Sequence, residues 1–239
     1  MDTAEVGVLL FVAAQAREYA GVLRRMSSVR PVGLGIDFAR WGELAGKPVM
    51  LVANGAGPRL AAEAVDWASR RADVDVAVST GYCGALDDDL RVGDIIIALQ
   101  VYSPETGRRY RAASPECVSQ KAGDVVASVD RFVGTVKEKR ELRASGAVAV
   151  EMEAIAVAEE AEKRGWKFSC VRVVSDTANE GFDLDLNAAR SDDGRFRTGR
   201  IVAAAMRRPV ARIPELFRLM NSSQRAARAL GDFLAECRF

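Results

Sequence analysis

Histidine is absent from this 239-residue chain, and cysteine is scarce: Cys83, Cys117, Cys170 and Cys237 stand far apart, with no CxxC. That argues against a zinc centre of Cys and His ligands and for a reducing compartment. Cys170, inside an apolar run, reads as a small buried side chain. Without imidazole, proton transfer must fall to Asp, Glu, Lys, Tyr or Cys, which makes carboxylates the first candidates. A basic excess is missing as well. The formal net charge is +1, where a nucleic-acid binder would carry many more cations. Long apolar runs are lacking too: the first, Val6 to Ala14, is too short to cross a bilayer and follows no basic leader. These absences point to a cytoplasmic protein with no metal site and no nucleic-acid partner.

What is present is material for a core. Hydrophobic residues make up 49% of the chain, enough for one α/β domain over 1–239. Val6 to Ala13 reads as a buried strand followed by a helical stretch from Gln15 to Met26. The pattern returns in Val49 to Ala53, the Gly-rich turn Asn54 to Pro58 and the helical Leu60 to Arg71, and its strand again in Val74 to Ser79. Such repetition predicts a central sheet flanked by helices. Asp94 to Tyr102 is a further strand, and Gly123 to Thr135 holds one or two. Val148 to Arg164 reads as a strand end entering an Ala- and Glu-rich helix, and Phe168 to Val174 as an apolar strand. Thr198 to Cys237 has a helical pattern with interruptions at Pro209 and Pro214. Residues 190–239 hold eleven Arg against five acidic residues. Residues 198–239 are therefore expected to form a basic helical extension.

Two segments concentrate carboxylates where chemistry is expected: Ala149-Val150-Glu151-Met152-Glu153-Ala154 and Val173-Val174-Ser175-Asp176-Thr177-Ala178. Asp176 follows the carboxyl end of an apolar strand, where open α/β sheets place their ligands. Glu153 lies at a helix start, near exposed amides. Both positions suit helix capping equally well. Near the N-terminus, Arg17 and Glu18 fit either a site or a solvated helix face.

Taken in order with Ser79-Thr80-Gly81-Tyr82-Cys83-Gly84-Ala85-Leu86 and Leu90-Arg91-Val92-Gly93-Asp94-Ile95-Ile96, these segments resemble the superfamily of purine nucleoside phosphorylase and methylthioadenosine nucleosidase. The resemblance runs from about Val6 to about Asn179. It implies a three-layer α/β/α fold with a mixed, partly barrel-like sheet, a homo-oligomer, and an enzyme that cleaves the N-glycosidic bond of a purine nucleoside. No cofactor is implied; water or inorganic phosphate is the co-substrate. By position, Asp176 matches the residue that acts at the purine N7 and Glu153 the one that binds the ribose hydroxyls. Met152 matches a residue packing beneath the sugar, and Phe132 the purine-stacking aromatic, with the backbone of Val133 beside it. Gly81 and Gly84, flanking Cys83, would let the backbone approach the ligand. Glu18 matches the glutamate that activates water, whereas Arg17 and Gly55 of the Gly-rich turn are the candidates for holding phosphate. Tyr82 stands where the nucleosidases usually carry a small residue. The residue types suit the reaction: a departing purine needs a proton, and the oxocarbenium-like sugar needs negative charge.

A narrower similarity lies in Phe182 to Asn187, Asp193 to Arg200, Arg207-Arg208-Pro209 and Asn221-Ser222-Ser223, which look like the hopanoid-associated branch of that superfamily. It implies release of adenine from an adenosine-type nucleoside, adenosylhopane, in hopanoid biosynthesis. It also suggests peripheral contact with the inner membrane, through Arg200, Arg207, Arg208, Arg212 and Arg218 beside Ile201, Val202, Ile213, Leu216, Phe217 and Leu219. A methylthioadenosine/adenosylhomocysteine nucleosidase, a futalosine-type hydrolase and a non-catalytic purine-binding module are the alternatives.

Overall fold

In the first strand, β1 (Val8–Ala13), alternate side chains enter two different cores: Val8, Leu10 and Val12 one, Leu9, Phe11 and Ala13 the other. The adjacent β4 (Lys47–Ala53) divides in the same way, Met50 and Val52 against Val49, Leu51 and Ala53. A strand covered on both faces has no polar side to show, which is why these runs are continuously apolar. One covering layer is α2 (Pro58–Ser69) with α4 (Ala154–Arg164), packed through Ala61, Ala64, Val65, Ala68, Val157, Ala158 and Ala161. The other is the short α1 (Ala20–Leu23) with the C-terminal helix (Pro209–Glu236), which contribute Val22, Ala226, Leu230, Phe233 and Leu234. The three-layer α/β/α expectation holds. The computed structural model describes residues 7–117, 124–183, 186–191, 195, 199 and 209–239.

The remaining strands are β2 (Met26–Pro31), β3 (Phe38–Leu44), β5 (Val74–Ala85), β6 (Ile95–Tyr102), β7 (Arg109–Arg111), β8 (Asp124–Ser128), β9 (Ala149–Glu151) and β10 (Lys167–Asp176). They form one mixed sheet in the order β10-β6-β8-β9-β5-β1-β4-β3-β2, with β7 on β6. Because β10 also pairs with β5, the strands β5, β10, β6, β8 and β9 close on themselves as a barrel. The length of β5 makes closure possible. Its first half pairs with β1 from Val74 to Ser79, its end pairs with β9 at Gly84 and Ala85, and β10 runs along its other edge.

Several expectations need correction. The stretch from Gln15 to Met26 is not one helix: a 3-10 turn (Ala16–Tyr19) and α1 give way at Met26 to the β2–β3 hairpin. The segment expected to hold one or two strands before Thr135 does hold one among the described residues, β8, and is followed by α3 (Val136–Arg143). Thr135 and Glu138 cap that helix reciprocally. Pro209 starts the C-terminal helix and Pro214 lies within it. At a helix start a missing N–H costs nothing, and one turn later it removes a single ladder bond. The strand read as apolar over Phe168 to Val174 contains Arg172, wholly buried. Finally, the cysteines are not all unpaired. Cys83 and Cys170 are buried free thiols, but Cys117 and Cys237 form a disulfide across 120 positions. The C-terminal helix brings them together, and Glu116 and Arg238 pair as a β-bridge beside it.

Candidate active site

The carboxyl end of the sheet opens into a cavity of about 220 Å³ lined by residues from eight separate segments of the chain. Glu18, the last but one residue of the 3-10 turn, turns inward while its neighbour Arg17 stays exposed at the rim. Its Oε1 accepts the Gln15 amide at 2.7 Å and its Oε2 the Tyr82 amide at 2.9 Å. Gly81 is what allows this: its φ is +117°, and a Cβ there would stand 2.0 Å from Glu18 Oε2. Burial pushes the Glu18 carboxyl up, against the Tyr82 amide and the Arg172 guanidinium.

Glu151 and Glu153 divide two tasks that the sequence leaves undecided. Glu151 Oε2 accepts the amides of Glu153 and Ala154, both at 2.8 Å, and so caps the start of α4. Glu153, at the cap position itself, is thereby released from capping. Its Oε1 accepts the Gly57 amide at 2.9 Å, and its Oε2 lies 3.4 Å from Arg172 Nη1. Arg172 also grips Glu151 Oε2 and, at 2.6 Å, Ser79 Oγ. Burial raises Glu153 to about 8; Arg172 opposes this, and the charges of Glu151 and Glu18 add to it.

Asp176 is not a helix cap but the last residue of β10, in register with Gly84 of β5, which pairs in turn with Val150 of β9. A Cβ on Gly84 would lie 3.0 Å from Asp176 Oδ2, so the glycine makes room for the carboxyl. Lys139 Nζ donates to Oδ2 and Ser175 Oγ to Oδ1, at 2.6 and 2.8 Å. Burial raises Asp176, with Lys139 and Ser175 opposing.

Phe132, Val133, Met152, Cys83 and Gly84 line the same cavity. Phe132 packs against Phe182 with ring centroids 5.2 Å apart. Its backbone N–H and C=O are both bound by the Asn187 side chain at 2.8 Å. The C-terminal helix closes the opening with Leu216, Leu219, Met220 and Ser223. The Tyr82 hydroxyl donates to the Ser223 carbonyl at 2.9 Å, tying that helix to β5. Of the expected site residues, Gly55 and Gly81 do not line the cavity: the Gly55 amide is spent on Ala14, and Gly81 acts through the room it leaves for Glu18. Sequence reasoning missed Glu151, Arg172, Lys139 and Ser175. An arginine inside a buried strand is itself a signal, since such a charge must find partners. Lys139, one cation among many in α3, carries none. Arg200, Arg207, Arg208, Ile201 and Val202 lie outside the described residues, and the side chain of Arg212 does too. No group of three or more His, Cys, Asp or Glu among the described residues is placed to hold a metal ion. Nor is any described helix long and apolar enough to cross a membrane.

A family model described as the phosphorylase superfamily matches residues 28–125 and 124–207. The chain therefore belongs to the phosphorylase superfamily. Among its relatives, the 5'-methylthioadenosine/S-adenosylhomocysteine nucleosidase of Staphylococcus aureus is 30% identical over 175 residues, 62% of this chain and 76% of that one. The fold is that of the corresponding nucleosidase from Neisseria meningitidis, solved with methylthio-immucillin-A. That structure gives a TM-score of 0.72 at 22% identity, over 96% of this chain and 97% of the other. The futalosine hydrolase of Helicobacter pylori superposes similarly, with a TM-score of 0.71 at 18% identity over 97% of both chains.

Proposed function

We propose that this nucleoside-cleaving enzyme hydrolyses the N-glycosidic bond of an adenosine-type nucleoside bearing an apolar 5' group, and releases adenine. The observation that carries the reading is the convergence of Glu18, Glu153 and Asp176 on one cavity. In it, Asp176 protonates the purine at N7, Glu153 accepts the ribose hydroxyls, and Glu18 takes a proton from the attacking water. Phe132 stacks on the base, with Val133 beside it, and Met152 underlies the sugar. Backbone at Cys83 and Gly84 forms the wall near the base, and Gly81 leaves room for Glu18. The reaction needs no cofactor.

Charge favours water over phosphate. Four carboxyl groups, Glu18, Glu151, Glu153 and Asp176, line the cavity, and the two buried cations, Arg172 and Lys139, are already engaged by three of them. A phosphate dianion would find both buried cations already taken. Arg17 and Arg131 also line the cavity, and since Arg131 is paired with Glu138, Arg17 is the candidate anion contact.

The 5' group leaves the cavity over Leu216, Leu219 and Met220. Met220 is 49% exposed there, next to Phe217 at 61% and Ile213 at 36%. An apolar exit of this kind suits a long hydrocarbon substituent, and adenosylhopane is the finer substrate reading. The same face, with exposed Arg218, is where a membrane or a second subunit would be met. A small 5'-thio substituent is the second reading, supported by the identity to the S. aureus nucleosidase.

The test is adenine release from adenosine derivatives with 5' groups of increasing hydrocarbon length, with and without phosphate. Release is expected without phosphate and should improve with chain length; an absolute need for phosphate overturns hydrolysis. Asp176→Asn should lower the rate by about a hundredfold or more while the protein remains folded.

A further inference from the structure

We propose that Lys139 is a positioning residue for the acid step: its ammonium occupies Oδ2 of Asp176, reserves Oδ1 for the transferred proton, and stabilises the carboxylate left behind. This rests on the reading of Asp176 as the acid.

Lys139 is wholly buried on α3. Its Nζ lies 2.6 Å from Asp176 Oδ2, 2.6 Å from the Thr177 carbonyl and 3.0 Å from the Glu180 carbonyl. Three acceptors match the three N–H groups of an ammonium, whereas a neutral amine would have only two to offer. The two carbonyls belong to a turn closed by its own bonds. Glu180 N–H donates to the Thr177 carbonyl at 3.1 Å, and Thr177 N–H to Glu180 Oε2 at 2.9 Å. The cation therefore has a built seat that does not depend on Asp176.

Ser175 completes the arrangement on the other oxygen. Its Oγ stands 2.8 Å from Asp176 Oδ1 and 3.2 Å from the Cys83 carbonyl. One hydroxyl proton cannot serve both acceptors at once. While Oδ1 carries its proton, Ser175 donates to Cys83. When that proton passes to N7 and the C–N electron pair leaves with the base, the hydroxyl turns to Oδ1. The new carboxylate then has Ser175 on Oδ1 and the Lys139 ammonium on Oδ2.

Other groups also face Asp176. Glu180, in the loop after β10, works against its ionisation and is itself paired with Arg218 of the C-terminal helix at 3.3 Å. Cys83 of β5 stays a thiol, since burial and the Asp176 charge both push it up. Lys139 is thus the cation that opposes burial and Glu180 at this carboxyl. Without it Asp176 holds its proton more tightly and becomes a weaker acid.

Lys139→Gln removes the charge and keeps an N–H donor for the turn, whereas Lys139→Arg keeps the charge. In Lys139→Gln, kcat for an adenosine-type nucleoside at its pH optimum should fall by about a hundredfold, and the alkaline limb of the pH profile should move to higher pH. Lys139→Arg should keep that limb in place and restore most of the rate. On a 4-nitrophenyl riboside, whose leaving group needs no proton, Lys139→Gln should match the wild type. Equal losses on both substrates with an unmoved limb overturn the proposal and leave Lys139 a packing residue. If Lys139→Gln does not fold, Lys139→Arg decides the matter: its alkaline limb must coincide with the wild type's, and a limb that moves although the charge is kept overturns the proposal. An active Asp176→Asn would instead remove Asp176 as the acid, whatever Lys139 does.

Discussion

Glu153 is held by one backbone amide and one guanidinium in a site where Glu18 and Glu151 repel its charge. Its carboxyl is raised from the ordinary 4.5 to about 8, so in the empty site the proton is retained near neutrality. The consequence for stability has a definite sign. Below 4.5 the group is protonated in both folded and unfolded chains, and its contribution is intact. As pH rises towards 8 the unfolded chain ionises first, and stability is lost across that window. Glu153→Gln cannot titrate, so its melting temperature should fall less steeply between pH 5 and 8 than the wild type's. Glu18 and Asp176, also raised by burial, supply the slope that remains. The same variant should lose preference for ribo- over 2'-deoxynucleosides, because substrate binding draws the Glu153 proton away and leaves a carboxylate whose charge-assisted bond to the hydroxyls, worth about 1.5 to 3 kcal/mol, an amide cannot make. Thermal melts and paired kcat/KM values check the two effects separately. A steep pH dependence surviving in Glu153→Gln would assign the titration elsewhere.

At the scale of elements, the site depends on one bend in β5 and one helix start. The bend at Gly81 lets the Tyr82 amide reach Glu18. Gly81→Ala adds a Cβ at positive φ against that carboxylate, a strain of about 1 to 3 kcal/mol. The expected result is a lower melting temperature and a rate reduced at least about tenfold, with the circular dichroism of the sheet retained. A variant with wild-type turnover would mean that the grip of Tyr82 on Glu18 is dispensable. The helix start shows why sequence reading stopped short. Glu151 and Glu153 are equally good caps on spacing, and which of them caps depends on Arg172 and Gly57, 19 and 96 positions from Glu153. Likewise Arg17 and Glu18 are neighbours in sequence, yet one is exposed and the other buried. A 3-10 turn places successive side chains about a third of a turn apart.

Across the whole molecule, the C-terminal helix does two things at once. Its first half roofs the cavity, and its far end is stapled by Cys117–Cys237 to the segment after β7. Closing a loop of this length removes unfolded-chain entropy worth about 4 to 5 kcal/mol. Reduction, or Cys237→Ser, should therefore lower the unfolding free energy by about that much, measured in denaturant with and without thiol. An unchanged midpoint would show that the helix is held by Ala226, Leu230, Phe233 and Leu234 alone. By itself the sequence determined the α/β class and the strands β1, β4, β6 and β10, which follow from runs and periods a few residues long that local sterics and burial decide. Glu18, Glu153 and Asp176 were singled out by the resemblance of their segments to a known superfamily, not by spacing. The barrel closure, the capping role of Glu151, the seat of Lys139 beneath Asp176 and the disulfide were decided only by the tertiary structure. Each joins groups from distant parts of the chain, or is decided by them, and such pairings leave no trace in local spacing.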